Sequence, residues 1–318
     1  MTDIFLEDRP SSKQGCLRLI LMAVAIMLVG WLVIKGCSGK ANAVDEDKNS
    51  QVEDGLPVDK GGTRTPAGAA KQTNPAVRTG PDRSGPLLAD AKRFIEQRDF
   101  QHARNKGFAA LELAARADDR RQVEDFLGKL HIEMLFNPVP MEEKVDYTIK
   151  SGDIIGKLAR TYKTTSELIS KGNDIRDPRR IRVDDHLRIF SGTFKLLIDK
   201  SSNTLLVTLN DRFFKRYRVG TGEFDKTPTG TFKVKDRIVE PDWWQPNGQK
   251  IPYGDPEHLI GTRWIGLDIR GYGIHGIRKD LRDTIGKQES AGCIRMLNSD
   301  VEELYTYIPT GAEVIIQD

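Results

Sequence analysis

The chain has 318 residues, 49 of them basic and 46 acidic, for a net charge of +3. Its length predicts about two domains, and a hydrophobic share of 38% is too low for one dense globule, so part of the chain is linker. The charge balance excludes a dedicated nucleic-acid binder, and three cysteines without a CxxC pair argue against a structural zinc site.

Residues 1–16 read as a short cytoplasmic N-terminus and 17–36 as a transmembrane helix or signal anchor. "LILMAVAIMLVGWLVI", Leu19 to Ile34, runs sixteen residues without a charge between Arg18 and Lys35. That is within reach of the shorter spanning helices, and Trp31 suits an interface. A cleaved signal peptide is the alternative, but no small-x-small site follows the run. Arg9, Lys13 and Arg18 precede it and Lys35 and Lys40 follow it, so charge alone does not set the orientation. As a helix the run holds Cys16 and Cys37 about 31 Å apart, too far to bridge. Cys293 then has no evident disulfide partner in its own domain and is a candidate reactive thiol.

Residues 37–86 carry many Gly, Pro, Asn and Thr and almost no large apolar side chain. Such a segment cannot offset its ordering entropy by burial, so it reads as a disordered tether. From 87 to 137 the period becomes helical: Leu87, Leu88, Ala91, Phe94 and Ile95, then Val123, Phe126, Leu127, Leu130 and Met134. "NPVP" ends the run. A helical hairpin or three-helix unit is expected, either as a packing spacer or as a dock for a protein partner.

Residues 146–190 read strand, helix, helix, strand: "YTIK", "DIIGKLARTY", "TSELISKGN" and "HLRIF". Asp153 and Thr165 or Ser166 are the expected helix caps. Through Tyr147, Gly152, Asp153, Ala159, Tyr162, Leu168, Asn173, Ile175, Ile181, Leu187 and Ile189 the segment resembles a LysM domain. Asp184 and Phe190 depart from it, standing where the family often has Gly and Pro. The resemblance implies binding of N-acetylglucosamine-containing glycan between two loops, here near Gly152, Asp153 and Ile154 and near Asn173 and Ile175. A purely structural module is the alternative.

Residues 193–318 alternate like strands: "FKLLIDK", "TLLVTL", "FFKRYRVG", "GTFKVKDRIV", "WIGLDI" and "EVIIQD". A mostly antiparallel β domain is expected, with one helix at "NSDVEELYTYI" capped by Asn298 or Ser299. The fold class is thus multidomain α+β: transmembrane helix, disordered linker, small helical segment, βααβ module and β domain.

The chemistry concentrates in "GIHGIRKDLRDTIGKQESAGCIRM", Gly273 to Met296. Small residues before Cys293 let a carbonyl approach the backbone, whose N–H groups can form an oxyanion hole. A thiol is mostly un-ionised at neutral pH, and an imidazole that takes its proton makes it a nucleophile. His275 is the candidate imidazole. A buried Cys and a satisfied His are the bland alternative.

Fourteen residues separate His275 from Ser290, and "SAGCIRM" follows. With "TPTGTF", "PDWWQPNG", "IPYG" and "IGTRWIGL" before "YGIHG", this is similar to the L,D-transpeptidase catalytic domain of the YkuD type over about residues 194–317. Ala291 departs, standing where many members have His or Lys. The resemblance implies attack by Cys293 on a meso-diaminopimelate–D-alanine type bond of a peptidoglycan stem peptide. A thioester forms, and a neighbouring amine then attacks it to give a 3→3 cross-link. It assigns His275 as general base and acid, held by the main-chain carbonyl of Gly276. The oxyanion hole falls to the N–H groups of Gly292 and Cys293. Arg295 and Ser290 are positioning or substrate-binding residues, an ion pair being the alternative for Arg295. Tyr272 and Trp243 are expected in the cleft wall or in the core. No metal and no cofactor are implied, and acylation by carbapenems is expected. The expected partners are peptidoglycan and, through the N-terminal helix, the membrane. The expected location is the cytoplasmic (inner) membrane, single-pass, with the catalytic part in the periplasm or otherwise outside the cytoplasm. Transfer to water or to a protein amine, and a non-catalytic wall-binding protein, are the alternatives.

Overall fold

A computed structural model of the chain describes residues 83–245 and 247–318. The expected membrane segment and nearly all of the expected tether lie outside the described residues. Among those described, no helix is long and apolar enough to cross a membrane.

Three helices come first: α1 (Ser84–Glu96), α2 (Phe100–Leu113) and α3 (Ala117–Phe136). The helix begins at Ser84, inside the stretch read as tether. Pro86 belongs to its first turn, where a missing N–H costs nothing. Asp99 caps α2 by accepting the His102 N–H. Leu88, Phe108, Ala110, Leu111, Val123 and Leu127 form the core of the unit. Gly107 lets α2 meet α3, since a Cβ there would lie 2.6 Å from Leu127 Cδ2.

The βααβ module follows: β1 (Lys144–Thr148), α4 (Ile155–Thr161), α5 (Ser166–Gly172) and β2 (His186–Phe190). β1 and β2 pair antiparallel with Tyr147 opposite Leu187. Thr165 caps α5 through the Leu168 N–H. Asp153 does not cap α4; its carboxylate turns back to accept the Lys150 N–H and the Tyr147 hydroxyl instead. Asp184 has φ +71, a left-handed conformation that Gly or Asp tolerates.

The β domain holds an eight-stranded sheet in the order β13-β11-β10-β7-β14-β3-β4-β5. The strands are β3 (Phe194–Asp199), β4 (Thr204–Leu209), β5 (Arg212–Arg218), β7 (Gly230–Val239), β10 (Arg263–Leu267), β11 (Gly273–His275), β13 (Ile294–Arg295) and β14 (Glu313–Gln317). Pairing is antiparallel except for β14 with β3 and β11 with β13. Short pairs join β6 (Thr221–Gly222) to β12 (Gln288–Ser290) and β8 (Trp243–Trp244) to β9 (Lys250–Ile251). The β4–β5 turn places Asn210 and Asp211 both at positive φ, as a two-residue hairpin requires.

Helix α6 (Asn298–Tyr307) carries no side-chain cap. Asn298 Oδ1 instead accepts the Ile277 N–H at 3.0 Å, bracing the chain just beyond His275. The three units share one apolar core, from Ala103, Leu130 and Met134 through Leu168 to the buried face of the sheet. Helix α3 lies on the edge strand β5, where the ring of buried His131 stacks on Phe214 and its Nδ1 donates to Phe214 O at 2.7 Å. The helical segment is therefore packed on the β domain and covers a sheet edge that would otherwise be open.

Candidate active site

β11 delivers His275 and β13 delivers Arg295 directly opposite it, in parallel register. Cys293 stands immediately before β13. His275, Ser290, Cys293 and Arg295 all face one cleft of about 410 Å³, walled further by Trp243 and Trp264. Ser290, Cys293 and Arg295 are neighbours in sequence, and the parallel pairing of β11 with β13 brings His275 to them.

The loop from Ser290 to Cys293 is held by its own bonds. Ser290 Oγ donates to Cys293 O at 2.6 Å and accepts the Gly292 N–H at 3.0 Å. Gly292 has φ +131, and a Cβ there would lie 3.0 Å from both Lys226 O and Tyr272 Cε1. A side chain is excluded by conformation and by space. Of the expected oxyanion pair, the Gly292 N–H donates to Ser290 Oγ at 3.0 Å, and the Cys293 N–H makes no such bond. Ser290 acts on the loop backbone and not on the imidazole.

Thr227, fully buried, clamps the same loop. Its hydroxyl accepts the Gly222 N–H at 2.7 Å and donates to Gly292 O at 2.8 Å. The motif "TPTGTF" contains this residue, but nothing local in it points to Gly292.

His275 Nδ1 lies 2.5 Å from Gly276 O. Donation there leaves Nε2 as the basic nitrogen. Burial presses the imidazole pKa down to about 4; the Gly276 carbonyl opposes this, and Arg295 and His258 add to it. Cys293 Sγ donates to Gly271 O at 3.4 Å. Burial raises the thiol pKa, against the Gly273 backbone and the Arg295 charge. Burial thus favours the neutral form of each group, and the thiol and the imidazole line the same cleft.

Arg295 donates from Nη1 to Glu289 O at 3.3 Å and makes no ion pair among the described residues. An unpaired, half-buried guanidinium in a cleft suits a carboxylate ligand. Trp243 lines the cleft, and the Tyr272 ring packs against Gly292 of the nucleophile loop. Among the described residues no three His, Cys, Asp or Glu side chains gather as a metal site.

In the βααβ module the two expected glycan loops differ. A hollow of about 450 Å³ beside Asn173 and Ile175 is lined also by Arg176, Asp177 and His186, and excludes Gly152, Asp153 and Ile154. Asn173 spends its side chain on Ile169 O, Arg188 O and the Arg188 N–H. Asp153 is spent on Lys150 and Tyr147. Both side chains hold the loops, and Gly152 and Ile154 stand exposed.

The family model of the L,D-transpeptidase catalytic domain matches residues 193–316, and that of the LysM domain matches 147–190. YqjB of Bacillus subtilis (strain 168), which is named as an L,D-transpeptidase, is 38% identical over 129 residues, covering 39% of this chain and 70% of that protein. YkuD of the same organism, similarly named, is 28% identical over 176 residues, covering 54% of this chain and 97% of that protein. A crystal structure of an L,D-transpeptidase from Mycobacterium tuberculosis H37Rv aligns at a TM-score of 0.35 and 13% identity, covering 55% of this chain and 91% of that one. With the paired loop and cleft described above, the chain belongs to the L,D-transpeptidase family and carries a LysM domain ahead of its catalytic domain.

Proposed function

We propose that this protein is a peptidoglycan L,D-transpeptidase that works through a Cys293 thioester. Cys293 Sγ attacks the carbonyl that precedes the terminal D-alanine of a stem tetrapeptide. His275 Nε2 takes the thiol proton as the S–C bond forms. The Cys293 N–H stabilises the oxyanion. On collapse the C–N bond breaks, His275 returns the proton to the leaving amine, and D-alanine departs. An amine of a neighbouring stem then attacks the thioester. Its proton passes to His275 and on to the departing thiolate, which restores Cys293 and leaves a 3→3 cross-link.

The observation that carries this reading is the convergence on one cleft of a thiol, a buried imidazole and a guanidinium with no ion pair among the described residues. With burial favouring the neutral form of both groups, proton transfer accompanies attack. Arg295 anchors a carboxylate of the substrate. The LysM domain holds the enzyme on glycan strands, and the N-terminal apolar segment tethers it to the membrane with its catalytic part outside the cytoplasm.

Full-length protein incubated with disaccharide-tetrapeptide tests this, with products read by mass spectrometry. A cross-linked dimer lacking one D-alanine, absent with Cys293→Ala, is the expected result. Tripeptide alone would make water the acceptor. Unchanged tetrapeptide would overturn the catalytic reading in favour of a wall-binding protein.

A further inference from the structure

On the face of the sheet that bears His275, three neighbouring strands arrange a second aromatic ring against the imidazole. Trp264 of β10 is the direct cross-strand partner of His275 in β11. Their rings stack with centroids 5.9 Å apart and planes 17° from parallel. The indole N–H donates to Asp236 Oδ1 of β7 at 3.0 Å.

Two glycines make the slot in which this indole lies. Gly266 and Gly273 oppose one another in the same β10–β11 register. A Cβ on Gly266 would lie 2.7 Å from Trp264 Nε1, and one on Gly273 would lie 2.6 Å from Trp264 Cζ2. The sheet gives up two side chains, and with them two sites of packing, so that one indole can lie flat beside His275 and reach Asp236.

We propose that Trp264, anchored by Asp236, is a positioning residue for His275: it fixes the plane of the imidazole and stabilises the imidazolium formed when the thiol proton is taken. The proposal rests on His275 acting as the general base. Offset stacking restricts rotation of the ring, which a single bond from Nδ1 to Gly276 O leaves partly free. The negative face of an indole attracts a cation, and a carboxylate accepting the indole N–H enriches that face. The other groups facing His275 do not help the cation. Arg295 and His258 both oppose it, and the Cys293 thiol is neutral until it is deprotonated. Among the described residues the Gly276 carbonyl and the Trp264 face favour it. An imidazole in that setting needs a fixed partner to be basic enough to accept the proton.

The experiment follows alkylation of Cys293 by iodoacetamide in the full-length protein, read by intact mass from about pH 3 to 9, beside turnover of disaccharide-tetrapeptide. Alkylation needs the thiol proton removed but no peptide, so it isolates the His275 function. Trp264→Leu is expected to slow alkylation at pH 7 by about tenfold and to move the acid limb to lower pH. Trp264→Phe, which keeps an aromatic face, restores most of the rate. Asp236→Asn, which keeps an acceptor but not the charge, falls between. In turnover, kcat falls more than KM rises. Unchanged rate and limb in folded Trp264→Leu would overturn the proposal and make Trp264 only a cleft wall. Should Trp264→Leu fail to fold, an unchanged rate and limb in Asp236→Asn overturns it equally. The expected alkylation shifts in a protein that leaves tetrapeptide untouched would support the positioning role while overturning the transpeptidase reading.

Discussion

Ser290 and Cys293 are joined by a hydroxyl that donates to the Cys293 carbonyl at 2.6 Å while accepting the Gly292 N–H at 3.0 Å. The nucleophile is thus aimed by its own loop. Removing the hydroxyl frees Gly292 and lets Cys293 drift. Ser290→Ala should lower kcat about ten- to a hundredfold with little change in KM, because a misplaced nucleophile costs reaction and not binding. Steady-state D-alanine release measures it. An equal rise in KM would mean that Ser290 contacts substrate instead.

Acylation should be nearly flat from pH 5 to 8. The His275 imidazole, with a pKa of about 4, is in its basic form throughout that range, and the raised thiol is un-ionised throughout it. Rate should fall only as pH approaches 4, and rise again at alkaline pH as the thiol ionises by itself. Stopped-flow acylation by a carbapenem, with intact mass as a check, follows this directly. A midpoint near 6.5 would show an imidazole that is far less buried than the structure places it.

Thr227 binds Gly222 and Gly292 through one hydroxyl. Thr227→Val keeps the shape and leaves a buried N–H and a buried carbonyl unsatisfied. The loss should be about 1–3 kcal/mol of stability, with catalysis impaired as well, since Gly292 adjoins the nucleophile. Thr227→Ser should restore both. Chemical denaturation alongside turnover reads the two effects, and a Val variant as stable as the parent would show that the clamp is idle.

Arg295 stands in the cleft without a carboxylate partner among the described residues. Arg295→Gln should raise KM for a carboxylate-bearing stem peptide by about ten- to a hundredfold, matching the loss of a charged hydrogen bond of roughly 1.5–3 kcal/mol. An amidated peptide should lose little further. If both peptides suffer equally, the guanidinium shapes the loop through Glu289 O and does not bind the carboxylate.

His131 and His275 make the protein acid-sensitive. Burial lowers each imidazole from 6.5 to about 4. The unfolded chain therefore binds more protons than the folded one between those values, and stability falls as pH drops through that window. Above pH 6.5 neither contributes to the slope. Each should cost about 2 kcal/mol by pH 5. Urea midpoints at pH 7.5 and 5 would show it. His131→Leu, less stable at pH 7.5 for want of its bond to Phe214 O, should decline less steeply. An equal decline would place the acid sensitivity elsewhere.

The strands of the catalytic domain were legible because each side chain's direction follows from backbone period alone. "FKLLID" and "TLLVTL" alternate buried and half-buried residues along β3 and β4, as the apolar spacing requires. Helices α1 to α3 were legible for the same reason at a different period. Caps were less so. Asp153 and Asn298 both carry cap chemistry, yet each turned to a partner offered by the fold: Tyr147 in one case, Ile277 in the other. Pro86 looked like tether because composition does not say which turn of a helix a proline will occupy.

By itself the sequence determined the building blocks and the reacting atoms: which runs become strands or helices, and that a thiol, an imidazole and a guanidinium lie among glycines near the C-terminal end. These depend on local period and on the chemistry of single side chains. Only the tertiary structure decided that β11 and β13 run parallel, that Ser290 takes the Gly292 amide, that Thr227 reaches Gly292 across 65 residues, and that Trp264 lies flat beside His275. Such contacts join groups far apart in the chain. Their geometry is set by strand pairing, by the register of each pair and by the space two glycines leave open, and none of these is encoded within a single local stretch.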